Sequence, residues 1–305
     1  MTRISDLGLQ QLLLQGFQRA QSASETSQIQ LSSGKKFQNY GGYGADALRL
    51  LSSEGVFVRA TAYENAGQTA LTRFQMQENS LTTIADVVGG VSQDFVQTLA
   101  TGAPELLLPE LETAAQRILT ALNTQTGGVY LFGGVDGTVP PVDAQSLADL
   151  GAAGSIDALF REGARASLAV EEGVNIDGGP LASDVARELL IELRDLANAE
   201  ATLGPFAGDL TPAQRDFLVE KNARFLAIAD DLNQQLGLNG VVQAQAADAV
   251  QRNVQRRDLA EVVAAEIEDI DIAEVISRLN QDQLAIEASG RALAQASQLS
   301  LLNFL

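Results

Sequence analysis

Cysteine, histidine and tryptophan are all absent from this sequence. Without cysteine there can be no disulfide, no thiolate metal site and no thiol nucleophile. Without histidine the chain lacks the usual general base, the commonest transition-metal ligand and the side chain that titrates near neutrality. Aromatic residues make up only 5% of the chain. Packing must therefore rely on Ala, Leu, Val and Ile, which suits helix on helix better than a compact aromatic-rich core. Positive charge is also scarce: 20 Lys and Arg stand against 39 Asp and Glu, a net charge of -19. A phosphate backbone needs clustered cations, and the densest group here (Arg252, Arg256, Arg257) is small and reads as a solvated helix face. Nucleic acid is not an expected partner. No apolar run reaches the roughly 18 residues of a membrane span, so none is expected. Leu12-Leu13-Leu14 is too brief for the core of a cleaved signal peptide.

What the chain does have is hydrophobic content, 46%, placed unusually. Both ends are helix-patterned and poor in charge, whereas chain ends ordinarily fray and stay polar. Over 7–31, Leu9, Leu13, Phe17, Ala20 and Leu31 form a rough helical stripe. The other faces carry Gln and Ser rather than Lys and Glu, which suits a second protein contact better than open water. Over 272–305 two stripes recur: Ile272, Leu279, Ile286 and Leu293, and then Ala285, Ala288, Ala292, Ala296 and Leu299. A helix apolar on more than one face needs to be surrounded.

Between the ends the periodicity predicts a very long helix over 46–98. Its heptad seam reads Ala60, Gly67, Phe74, Leu81, Val88 and Phe95, with Tyr63, Ala70, Gln77, Ile84, Val91 and Thr98 three residues on. Asn39-Tyr40-Gly41-Gly42-Tyr43-Gly44 lacks the Gly-Lys-Ser/Thr ending of a phosphate loop and reads as a turn or flexible spoke. Pro109 is expected to start a helix through Leu111, Ala115, Ile118, Leu119 and Leu122, followed by a strand at Val129-Tyr130-Leu131-Phe132. A hairpin is expected around Glu171-Glu172-Gly173, and a helix capped by Ser183-Asp184. Thr211-Pro212 opens a helix through Phe225, Leu232, Leu236, Val242, Val250, Val254, Leu259, Val263 and Ile267. A joint is expected across 266–271. Its acidic residues lack calcium-loop spacing and suit the start of the last helix, where the helix dipole favours negative charge.

The expected fold is mainly α: an elongated antiparallel coiled-coil bundle from the two terminal regions, with a small mixed α/β insertion. The expected segments are 1–45 (assembly helix and spoke), 46–141 (rod helices and strand), 142–210 (insertion), 211–266 (rod helix) and 267–305 (assembly helix). No nucleophile motif or paired-carboxylate context points to an enzyme, and no cofactor is implied.

Several segments resemble the bacterial flagellin and hook-associated protein 3 (hook–filament junction) family. They are Gln30-Leu31-Ser32-Ser33-Gly34-Lys35-Lys36, Tyr130-Leu131-Phe132-Gly133-Gly134, Ile267-Glu268-Asp269-Ile270-Asp271-Ile272-Ala273-Glu274, Leu279-Asn280-Gln281-Asp282-Gln283 and Gln298-Leu299-Ser300-Leu301-Leu302. The likeness covers both terminal thirds. Arg3-Ile4-Ser5 and Leu301-Leu302-Asn303-Phe304-Leu305 look more like a junction protein than a filament flagellin, while 39–46 departs from the basic, Asp-rich spoke of both branches. The resemblance implies an extracellular structural subunit of the flagellum, exported by the flagellar type III apparatus without a cleaved signal and bound beforehand by an export chaperone. It also implies assembly with copies of itself, a neighbouring hook-associated protein and flagellin. A filament flagellin is the alternative, and a non-flagellar coiled-coil binding module a more distant one. The residues expected to carry assembly are Leu9, Leu13, Phe17, Leu31, Leu279, Ile286, Leu293, Leu299 and Leu302. Ordering a helix costs about 1–2 kcal/mol per residue of backbone. The ends are therefore expected to be disordered in a monomer and helical once neighbours cover them.

Overall fold

The computed structural model describes the backbone of residues 2–302 and the side chains of 11–295. It divides into a terminal unit, Met1–Val58 with Arg256–Leu305, and a central unit, Arg59–Gln255. The elements are α1 (Thr2–Ser33), α2 (Ala47–Thr101), α3 (Leu107–Leu122), β1 (Gln125–Thr126), β2 (Val129–Tyr130) and α4 (Leu147–Ala152). They continue with β3 (Ser167–Glu171), β4 (Val174–Asp177), α5 (Ala182–Ala197), α6 (Ala199–Leu203), α7 (Pro212–Glu268) and α8 (Ile272–Leu302). The fold is mainly helical, as expected, and α2 and α7 each contribute residues to both units.

In the central unit, every seam position expected on α2 from Ala60 to Phe95 is buried, and so are the companions Ala70, Gln77, Ile84, Val91 and Thr98. The partner is α7, running antiparallel. Phe95 meets Phe225 edge-on at 5.3 Å between ring centroids, and Asn239 Nδ2 donates to Phe74 O at 2.9 Å. On α7 the buried seven-residue repeat is Leu218, Phe225, Leu232, Asn239, Ala246 and Asn253. Of the apolar series expected on α7, Phe225, Leu232 and Ile267 are buried, whereas Val250 and Val254 are only half-buried and Leu259, in the terminal unit, is 65% exposed. Two seam positions hold asparagine, whose Nδ2 groups donate to backbone carbonyls. Asn253 Nδ2 donates to Val170 O at 2.8 Å and to Ala249 O at 2.9 Å.

The main core joins α2, α3 and α7 to α4 and α5, with Phe132 and Leu131 fully buried among them. A smaller cluster sets Val170 and Ile176 of the β3–β4 hairpin on Ala70, Phe74, Ala246 and Ala249. Two starts and one strand's extent differ from expectation. Helix α3 begins at Leu107, ahead of Pro109, without a side-chain cap and with Leu107 itself buried in the core. Helix α5 begins at Ala182, one residue ahead of Ser183, and Asp184 caps it by accepting the Leu181 N–H at 2.9 Å. The expected strand at 129–132 pairs only through Val129 and Tyr130, against Gln125–Thr126. Gly127 and Gly128, at φ 59° and 82°, form the two-residue turn that a tight hairpin demands. Helix α7 starts as expected, with Thr211 and Gln214 capping each other reciprocally at 2.9 and 3.3 Å.

In the terminal unit, α1 and α8 pack along one another. Their direction is antiparallel, since Gly34 O accepts from Ile270 N–H while Ser27 lies opposite Asp282.

Candidate assembly surface

The α1 face turned to α8 repeats at three and four residues: Leu13, Phe17, Ala20, Ser24, Ser27 and Leu31 are buried or half-buried. On α8 the matching face is Val275, Leu279, Asp282, Ile286, Ser289 and Leu293. Six of the residues expected to carry assembly thus meet along the one seam: Leu13, Phe17, Leu31, Leu279, Ile286 and Leu293. Leu9, Leu299 and Leu302 belong to α1 and α8, but their side chains lie outside the described residues. Ile272 does not share the seam. It is 62% exposed, and Val275, 4% exposed, takes its place. Ile272 opens α8, where the helix has only begun to run beside its partner.

The seam is weakly apolar. Half of the α1 positions are Ala or Ser, and the middle of the α8 face holds Asp282, whose carboxylate accepts from Ser27 Oγ at 3.5 Å. Small side chains bury little area, and burial stabilises by about 25 cal/mol per Å². The outward faces are more apolar than a solvated helix requires. Leu12 is 67% exposed, Leu14 45%, Ile276 46% and Leu284 66%. Ala285 and Ala288 are exposed as well. Helical glycines on the same pair, Gly8, Gly16 and Gly290, have nothing within 4 Å of where a side chain would grow. Among the described residues, one face of each terminal helix is covered by its mate and the other is exposed.

A polar clamp ties this pair together at one end. Gly34, at φ 73°, ends α1 with its N–H on Gln30 O at 2.8 Å. Lys36 Nζ donates to Glu266 O and Ile267 O at 2.9 Å each, capping the final carbonyls of α7 with a cation. Lys35 pairs with Glu268 at 2.6 Å, and this hydrogen bond, against some desolvation, raises the lysine pKa. Asp271 Oδ1 accepts from the N–H groups of Ala273 and Glu274 at 2.9 and 3.2 Å, capping α8. Two of the acidic side chains across the joint, Glu268 and Asp271, are thus used in an ion pair and a helix cap.

The glycine-rich segment beside the clamp is more ordered than the spoke expected of it. Residues Tyr40–Asp46 form a 3-10 helix, with Asn39 Oδ1 accepting from Gly42 N–H at 3.1 Å. Phe37 packs edge-on to Tyr43 at 5.2 Å, and a side chain on Gly42 would strike the Phe37 ring at 2.5 Å. Aromatic stacking and a cap thus hold a stretch whose composition alone suggests mobility. Among the described residues, no helix is long and apolar enough to cross a membrane.

Comparison with known proteins follows the same part of the chain. Residues 227–305, covering the later part of α7 and all of α8, match the family model of the bacterial flagellin C-terminal helical region. No curated protein matches the chain. Among solved structures, the fold is similar to a protein from Vibrio parahaemolyticus described as a flagellar hook-associated protein. The TM-score is 0.60 at 12% identity, covering 73% of this chain and 97% of that one. FlgL of Bacillus cereus gives 0.48 at 14% identity, covering 70% and 98%. At such identities the likeness is one of fold.

Proposed function

We propose that this chain is a non-enzymatic structural subunit of the bacterial flagellum, and within it the hook–filament junction protein, polymerising through α1 and α8. The observation that carries the reading is a coincidence of place. The segment matching the flagellin C-terminal helical region ends in the helix whose outward side leaves Ile276, Leu284, Ala285 and Ala288 exposed among the described residues. The assembly residues are Leu9, Leu13, Phe17, Leu31, Leu279, Ile286, Leu293, Leu299 and Leu302, joined now by Leu12 and Leu284 on the outer faces. The subunit would be extracellular, in a ring of its own copies between a neighbouring hook-associated protein and flagellin. Delivery would be through the type III export apparatus, with a chaperone holding the C-terminal segment. The similarity in fold to a protein described as hook-associated favours the junction over the filament.

Electron microscopy of a strain lacking the gene tests this. The junction reading expects bare hooks, with intact flagellin secreted into the medium but unpolymerised. Hooks without filaments and no secreted flagellin would identify the chain as the filament subunit. Normal filaments would refute both.

A further inference from the structure

A groove follows the contact between α2 and α3 in the central unit. Adjoining clefts of about 590, 520 and 240 Å³ make it up. The first two share Thr113 and Arg117, and the last two share Asp94, Leu106 and Glu110. Along α2 the lining runs from Met76 to Thr101, about 38 Å of helix at 1.5 Å per residue. That is room for a third helix of similar length.

The groove changes chemistry along its length. The Met76 end looks polar by residue type, yet Thr83, Thr113 and Thr120 each donate their hydroxyl to the carbonyl four residues back, at 2.8, 3.0 and 2.7 Å. Their methyl groups are left to meet a neighbour, beside Met76, which is 38% exposed. Further along, Gly90 lines the second cleft with Val87, Val91 and Ala114, and a side chain grown on it would meet nothing within 4 Å. Glycine inside a helix is unfavourable relative to alanine. The packing of this chain does not require it at 90, whereas close approach of another backbone would. The remaining lining is acidic, with Asp86, Asp94, Glu105 and Glu110 around Leu106, which is 71% exposed. Among the described residues Arg117 is the one cation lining these clefts, and none of the four carboxylates is held in an ion pair.

We propose that this groove docks a helix of a different protein, small or apolar along the face that meets α2 and α3 and bearing Lys or Arg toward one end. Recognition of a helix in a groove draws affinity from apolar anchors, and charge sets its orientation and choice of partner. Asp86 and Asp94 stand eight residues apart on α2, about 12 Å, so the cations of the partner should recur about every two turns. A second copy is a poor occupant. Over 272–295 its exposed helix α8 brings Glu274, Asp282 and Glu287 against Arg278 and Arg291, and the whole chain carries a net charge of -19. Like charge would meet like.

Fluorescence anisotropy tests this with the full chain and a labelled synthetic amphipathic helix of about 25 residues, matched to the length of the groove. The peptide carries Ala and Leu on one face and two Lys about two turns apart in one half; a control peptide has Glu in place of Lys. The Lys peptide should bind the more tightly, and added salt should weaken it by screening. Asp86→Asn and Asp94→Asn should each weaken it by about two- to fivefold, the loss of one solvent-exposed ion pair. Glu188→Gln on α5, exposed and lining none of these clefts, should change nothing. Gly90→Leu is decisive. It fills the floor of the groove and suits a helix better than glycine, so thermal melts should be no lower than wild type while binding falls by about tenfold or more. Thr120→Gln, exposed at the methyl-lined end, should weaken binding too. Lys-peptide binding that survives both Gly90→Leu and Thr120→Gln would be general attraction to an acidic chain and overturns the proposal. So does the absence of binding, or a Glu peptide that binds equally well. Self-association of the chain in sedimentation, lost in Gly90→Leu, would give the groove to a second copy and overturn it as well.

Discussion

Replacing Leu284 with glutamate separates folding of the chain from its assembly. Leu284 lies two residues from Ile286 and so about 200° away round the helix, on the side opposite the α1 seam. It is 66% exposed, so the change should leave the stability of the isolated chain within about 0.5 kcal/mol. Full burial of a leucine side chain contributes about 1.5–3 kcal/mol. The two-thirds still uncovered represents about 1–2 kcal/mol per subunit on assembly. A buried, unpaired carboxylate adds a cost of several kcal/mol. A total near 3 kcal/mol already corresponds to more than a hundredfold in affinity. Thermal melts of the dilute protein should match wild type, while incorporation at hook ends, seen by electron microscopy, and swimming should fail. Leu293→Glu makes the contrast. Leu293 is half-buried against α1, so charge there should loosen the terminal pair as well as block assembly, leaving the central unit folded. Incorporation and motility of Leu284→Glu at wild-type levels would refute the assignment of this face.

The weak α1–α8 seam predicts that a dilute monomer has lower helicity per residue by circular dichroism than a variant lacking both terminal helices, and equal values would count against it. Asn253→Ala should cost about 1–3 kcal/mol in denaturant melts, because the Val170 carbonyl loses its buried donor. Lys221→Ala should cost about 3–5 kcal/mol, since Glu192 is left buried and unpaired. Asp195, on the same lysine, is pushed up by burial but pulled further down by the Lys221 hydrogen bond, a net lowering. Its contribution is present above the ordinary value of 3.8 and is lost as pH falls through the lower folded value. Melts in that acid range should therefore show the gap between wild type and Lys221→Ala narrowing.

The α2 seam was readable because a seven-residue repeat of apolar side chains survives even where Gly67 interrupts it. There the missing side chain makes room for Val250, which a Cβ would meet at 2.6 Å. Half of the α7 seam was not readable. Asn239 and Asn253 are polar by type and buried only because carbonyls on neighbouring elements accept from them, a fact of tertiary placement that no periodicity contains. Ala246 and Ala260 are equally quiet in a pattern that looks for large side chains. The same reason hid part of the candidate surface. The stripe of Leu279, Ile286 and Leu293 was visible, whereas Asp282 and Ser289 share its seam without any apolar signature. Lys35 and Lys36 stood out only through the family resemblance, because their work depends on where α7 ends. The order of 37–46 was missed since glycine content masks an aromatic pair packed within the loop.

The two buried asparagines of α7 have a consequence for alignment. Apolar side chains attract without direction, so a seam built from them alone tolerates slippage by a whole heptad. A shift of seven residues would carry Asn239 away from Phe74 O and Asn253 away from Val170 O, leaving Asn239 without that acceptor and Asn253 with Ala249 O of its own helix alone. These amides act as index marks: the helices can meet at one axial setting, and every subunit is cut to the same measure.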